Sequence, residues 1–439
     1  MTHTPPSRAP LGLGVDRFQM RHGTDSPEAL AAFAEATEGL AAYRTDTMPA
    51  TERALAAEPT MLAAQALRGL LLLLAARAET VAMARGIADT LAPAGATEDE
   101  AALIAALRAG VAHGPLAAAE ALDAALAARP DRLLLVKLAT MLRFLGGDSA
   151  GMHATTARVL PAWSPAQPGY GYVLGCHAFA LEEAGEYPAA ERAGRLAVEL
   201  APHDAWAVHS VAHVYEMTHR PADGEAWIEA RRPGWQGCNN FGRHLAWHLA
   251  LFHLDQGHAG RVLEIYDTEI RPDRSEDMRD YTNAVAMLWR LRQHGVAVGA
   301  RWAELADIAA RRRGEVTLVF AALHRLLALV ATGDLRAARD VAAALAAADG
   351  TDEQAQVAKR IGARLASALL APAAEPVVPL RGLTEQLFRL GGSHAQRDVF
   401  VRSLALLAER RGDSAALADL LALRRRLKRD DRFLDLLAA

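Results

Sequence analysis

Nine of the sixteen histidines in this 439-residue chain fall between His177 and His258, and two groups among them have spacings that could do chemistry. His209, His213 and Glu216 are four and three residues apart, and His244 and His248 are four apart. On a helix turning 100° per residue, the first three fall within roughly 60° of arc and point into one space. First helices of neighbouring hairpins pack side by side at about 10 Å, so His244 and His248 would converge on the same space. Imidazoles joined by a carboxylate suit a divalent zinc, iron or manganese ion. Without a metal the same groups could serve as acid–base catalysts. Trp206 and Trp247 adjoin the two groups, either as walls of a substrate pocket or as ordinary packing.

Other polar residues have plainer readings. His253 falls about 180° from His244 on its helix, and His177 occupies a packing position, so both read as structural. His219 stands where a turn glycine is expected and His258 follows one, so both read as solvated. The runs Arg311–Arg313 and Arg424–Arg426 read as solvated helix faces, the second neutralised by Asp430 and Asp431. There is no GxSxG, P-loop, GxGxxG or HExxH motif.

The elements that must position the histidines repeat along the chain. Gly147, Gly185, His219, Gly257, Gly295 and Gly333 follow one another at 38, 34, 38, 38 and 38 residues, with Gly412 lying 79 further on. From Gly171 to Asp204 the residues Gly185, Ala190, Ala197 and Pro202 match the turn, small-residue and proline positions of a 34-residue tetratricopeptide repeat (TPR). Glycine permits the turn, the alanines let two helices approach, and proline opens the next unit. Helix starts are expected at Ser26-Pro27-Glu28, at Thr97 with Glu100, and at Thr351 with Gln354. Each hairpin leaves an apolar face that only a neighbour can bury. The expectation is all-α: a right-handed α-solenoid of about ten TPR-like hairpins, which could close around a central cavity. Residues 1–24 read as a polar N-terminal arm and 25–439 as one continuous solenoid. A Pro-rich inter-hairpin loop is expected near 372–380.

Composition agrees with this class. Hydrophobic residues make up 51 % and aromatics only 5 %, so helices rich in Ala and Leu must supply the core. A net charge of −4 offers no electrostatic case for nucleic acid, although 48 residues are basic and only Lys137, Lys359 and Lys428 of them are lysines. Two cysteines cannot form a disulfide framework, and no apolar run approaches membrane-spanning length. A cytoplasmic protein is expected, with no membrane partner and with a homodimer as an open option.

The segment Asp204-Ala205-Trp206-Ala207-Val208-His209-Ser210-Val211-Ala212-His213 with Glu216-Met217 resembles the signature of the tetratricopeptide repeat protein 38 family. So do Trp247-His248-Leu249-Ala250-Leu251 leading to Gly257, and Gly295-Val296-Ala297-Val298-Gly299 with Arg301-Trp302. Gly391-Gly392-Ser393 followed by Ala395-Gln396-Arg397-Asp398-Val399-Phe400 is similar to the family's C-terminal motif. The resemblance runs from about residue 170 to 405. It implies a TPR-like solenoid and marks His209, His213, Glu216, His244, His248, His324, Arg397 and Asp398 as recurring polar positions. His394 departs from the family pattern, which can have Asn there. The family name carries no settled reaction.

Two functions are therefore set side by side. The first is a small-molecule enzyme or binding protein, for example a metal-dependent hydrolase, lyase or isomerase. Its histidines would hold a metal or move protons, Glu216 would act as ligand or base, and Arg397 and Asp398 would orient substrate, with Arg397 aimed at an anion or at Glu216. The second is a scaffold that binds a peptide in a concave groove without catalysis. An enclosed cavity between His209 and His244 favours the first; a broad solvated groove favours the second.

Overall fold

The computed structural model describes residues 12–371, 383–429 and 431–437, so the expected Pro-rich loop lies outside the described residues. It is predominantly helical, with twenty-three α-helices and one short β-hairpin among the described residues. Every periodic turn position has left-handed backbone, with φ running from 52° at His219 to 81° at Gly185. That conformation ends a helix by turning its last carbonyls toward local donors, and glycine adopts it without strain. Each such residue closes one helix and opens a second that packs back on it. Tyr170–Glu183 lies against Tyr187–Leu200, and Ala205–Met217 against Pro221–Ala230.

First helices of successive pairs are also neighbours. Tyr170–Glu183, Ala205–Met217, Phe241–Asp255, Met278–Gln293 and Val319–Thr332 contact one another in series. The helix His394–Arg410 returns to pack on both Ala205–Met217 and Met278–Gln293. Early and late helices also meet on another side, where the Glu353 carboxylate accepts the Leu116 backbone N–H (3.1 Å) and Glu315 accepts that of Ala78 (3.1 Å). The first helices are thereby enclosed. Helix Ala205–Met217 is buried along all 13 of its residues, the mark of an interior helix rather than a surface one.

Of four starts with a capping signature in the sequence, three follow it. Ser26 caps its helix through Ala29, and Thr97–Glu100 forms a reciprocal capping box, as does Ser393–Gln396. At the fourth start the cap is Asp352 rather than Thr351, and the Gln354 side chain instead accepts the Val319 N–H at 3.0 Å. Residues 12–24 form a docked hairpin. Asp16 accepts the N–H groups of Phe18 and Met20 and bonds His22, while Arg21 and Gly23 donate to Asp99 and Glu100. No helix among the described residues is long and apolar enough to cross a membrane.

Candidate metal centre

Helix Ala205–Met217 starts on the Asp204 cap, whose carboxylate accepts the Trp206 N–H at 3.0 Å. This start sets the register that turns His209, His213 and Glu216 to one side. Helix Phe241–Asp255 is pinned at its beginning by a backbone bridge between Arg44 and Cys238 and by the Asn239 N–H on the Tyr43 carbonyl (2.6 Å). The two helices pack together and bring four imidazoles into one group.

His209, His213, His244 and His248 each offer a ring nitrogen, and these atoms all lie within 4.8 Å of one another. His209 Nε2 is 2.9 Å from His213 Nε2 and 3.0 Å from His244 Nε2. Three of the rings are fully buried and His244 is 7 % exposed. The outer nitrogens of three rings face acceptors: His244 Nδ1 meets Asn283 Oδ1 at 3.0 Å, His248 Nδ1 meets Glu216 Oε2 at 2.9 Å, and His213 Nδ1 faces Glu182 Oε2 at 3.5 Å, whereas His209 Nδ1 has no hydrogen-bond partner. An acceptor at Nδ1 calls for N–H there, which leaves Nε2 as a lone pair. Lone pairs then converge from several rings, and His248 Nε2 has no hydrogen-bond partner. Protonation would relieve the crowding, but burial opposes it. Burial and the neighbouring imidazoles hold His209, His244 and His248 well below the usual histidine range, and burial brings His213 down to about 4. A cation bound by the four nitrogens resolves both problems. Imidazole nitrogens at about 2.0–2.1 Å from a tetrahedral ion stand roughly 3.3 Å apart, slightly more than the His209–His213 and His209–His244 contacts. The group could hold a metal ion.

The other expected site residues fall elsewhere. Glu216 orients His248 with one oxygen and faces Lys428 Nζ (3.4 Å) with the other, so it is neither positioned as a ligand nor free to act as a base. Arg397 does aim inward, but its carboxylate is Glu183 (3.1 Å) and not Glu216, and it also meets His394 Nδ1 at 2.9 Å. Asp398 is taken by Arg424, through bonds of 2.8 and 3.2 Å. That pairing also corrects the reading of Arg424 as solvated, since it is buried and reaches Asp431 as well (2.6 Å). His324 stands outside the four-histidine group, with Nδ1 on the Phe320 carbonyl and its ring between Phe320 and Phe400. His253 and His177 also stay outside, His253 near His258 and His177 on Thr156.

The two tryptophans part company. Trp247 is fully buried behind the centre, stacked on His244 with centroids 5.3 Å apart, so it does not wall a pocket. Trp206 lines a cavity of about 330 Å³ together with Tyr43, Phe241 and His244. Of the four histidines, only His244 reaches this cavity.

Several neighbours of the centre had no signal in spacing: Glu182, Glu183, Asn283 and Lys428 sit on other helices, or beyond the last of them. Glu182 is the least expected, being fully buried with neither oxygen hydrogen-bonded. Burial, then Glu183 beside it, raises its pKa well above the carboxylate range. No known family model matches the chain.

Proposed function

We propose that His209, His213, His244 and His248 bind a divalent transition metal, and that the adjoining cavity admits a small molecule to it past His244. The observation that carries this reading is the convergence of buried imidazole nitrogens whose outer nitrogens face Asn283, Glu216 and Glu182. Outer partners of that kind fix ring tautomer and orientation at metal sites. Four neutral ligands would leave the ion its full charge, and an ion that took a fifth ligand from the cavity side would polarise a substrate oxygen or acidify a water there. Hydrolysis, elimination and isomerisation of a polar metabolite all draw on that chemistry. In this reading His244 and Trp206 meet the substrate. Glu216 and Asn283 hold His248 and His244 by hydrogen bonds, Glu182 faces His213, and Arg397 and Asp398 support the fold around them.

The helical pairs and their left-handed turns support a TPR-like solenoid closed on itself, and the signature around Trp206–Glu216 supports kinship with the tetratricopeptide repeat protein 38 family. The peptide-scaffold alternative draws less support, because the histidines face an enclosed interior. Metal analysis of untagged protein tests the proposal. About one equivalent of zinc, iron or manganese is expected, lost in the H209A/H213A double variant, with E216Q weakening affinity about 10- to 100-fold. Less than about 0.1 equivalent after supplementation with each metal, unchanged in the double variant, would sink it.

A further inference from the structure

The cavity in front of His244 has a chemistry that narrows what can enter it. Its inner wall is aromatic. Tyr43 stacks on Phe241 with centroids 4.3 Å apart and on Trp206 at 5.6 Å. Tyr43 is held there at φ +58°, a left-handed conformation that strains a bulky residue. Strain kept in a wall residue is characteristic of binding sites. Beneath the same two rings lies Lys137, 2 % exposed, its Nζ 4.5 Å from the Tyr43 centroid and 5.3 Å from that of Trp206. Among the described residues no carboxylate comes within salt-bridge distance of that ammonium. The lining contains arginines, asparagines and His244 but no Asp or Glu.

Two guanidiniums also line the cavity. Arg279 and Arg44 have side chains 42 % and 52 % exposed. Arg279 gives Nε and Nη2 to Asp277 (3.0 and 2.7 Å), and Arg44 gives Nη2 to Asp46 (2.6 Å). Each keeps further N–H donors, since a guanidinium carries five. Arg279 lies one helical turn from Asn283, the residue that holds His244. A ligand anchored on Arg279 with its body along the aromatic wall would therefore direct its far end at His244.

We propose that this cavity binds a small organic carboxylate with an apolar, ring-sized body, its carboxylate on Arg279 and Arg44 and its body on Tyr43, Phe241 and Trp206. The assignment rests on the reading that a small molecule enters here to meet the histidine centre. Three probes dissect it in the full-length protein, zinc-supplemented and chelator-treated in parallel: 3-phenylpropionate, the neutral 3-phenylpropanol, and propionate. Calorimetry, with intrinsic tryptophan fluorescence as a second readout, should give 3-phenylpropionate an affinity at least about tenfold above either of the others, as expected for one charge-assisted hydrogen bond and one buried ring. R279Q, or R44Q should loss of the Asp277 pair unsettle the first, should narrow the gap to the alcohol without weakening alcohol binding. Equal binding of acid and alcohol, equal binding of both acids, or no binding of 3-phenylpropionate would overturn the assignment even in a protein that holds metal. A protein that takes up no metal on supplementation yet keeps the full preference would refute the metal reading and leave this one standing.

Discussion

His324 separates what a residue is from what its position suggests. The family resemblance marks it as a recurring polar position, yet its Nδ1 bonds the carbonyl one turn back at 2.8 Å, and its ring packs 4.4 Å from Phe320 and 5.1 Å from Phe400. Burial pushes its pKa down to about 3. An unfolded histidine takes a proton near pH 6.5. Between that pH and about 3 the unfolded chain thus binds a proton that the folded chain refuses, and stability falls as pH falls. Over the step from pH 6.5 to 4 this one group accounts for roughly 3 kcal/mol. In chelator-treated protein, H324L should flatten the loss of urea stability across that step by up to this amount. Parallel pH profiles for the two proteins would show that His324 does not carry the acid sensitivity.

At the scale of elements, positions alike in the repeat differ in what surrounds them. Gly185 and Gly147 both turn a hairpin, with φ of 81° and 72°. A methyl group on Gly185 would meet nothing within 4 Å, whereas on Gly147 it would run into the Phe388 carbonyl of the returning segment. G185A should therefore cost only the backbone penalty, about 1 kcal/mol. G147A must also displace main chain and should cost about 3 kcal/mol or more. Urea unfolding of the two variants decides it; equal losses would mean that the segment near Phe388 does not seat on this turn. The comparison marks what was legible in the chain. The turn positions and a few helix starts could be read, because a left-handed residue and a capping side chain are local needs. The four histidines could be read because i,i+4 pairs on adjacent first helices must face one another. Asn283 and Glu182 could not, since no spacing rule ties a residue to a ring on another helix. The repeat allows closure around a cavity, but it does not say which helices return to cover the concave face.

For the whole molecule the decisive contact joins residues more than 200 positions apart. Lys428 lies just past the last long helix, and its Nζ is 3.1 Å from Asp431, 3.4 Å from Glu216 and 3.9 Å from Asp255. The Arg429 N–H donates to the Met217 carbonyl at 2.9 Å, and the Tyr187 hydroxyl to that of Leu427, so the segment is seated on the end of the histidine-bearing helix. Burial disfavours the ammonium, but Asp431, Asp255 and Glu216 outweigh it and raise its pKa. Burial likewise raises the pKa of Asp255 despite Lys428. One buried cation therefore holds several carboxylates together, one of which orients His248. Removing it strands them, and stranding a buried charge costs about 3–5 kcal/mol even where a neutral replacement of the whole set would cost little. K428M should lose stability on that scale and loosen metal binding through Glu216. D255N in the same background should restore at least about 1 kcal/mol, because one of the stranded charges is gone. A double-mutant cycle by urea unfolding reads the coupling directly. If the two substitutions add without interaction, Lys428 is not what joins the C-terminal segment to the histidine centre, and the closure of the fold must rest on Arg424 with Asp398 and Asp431 instead.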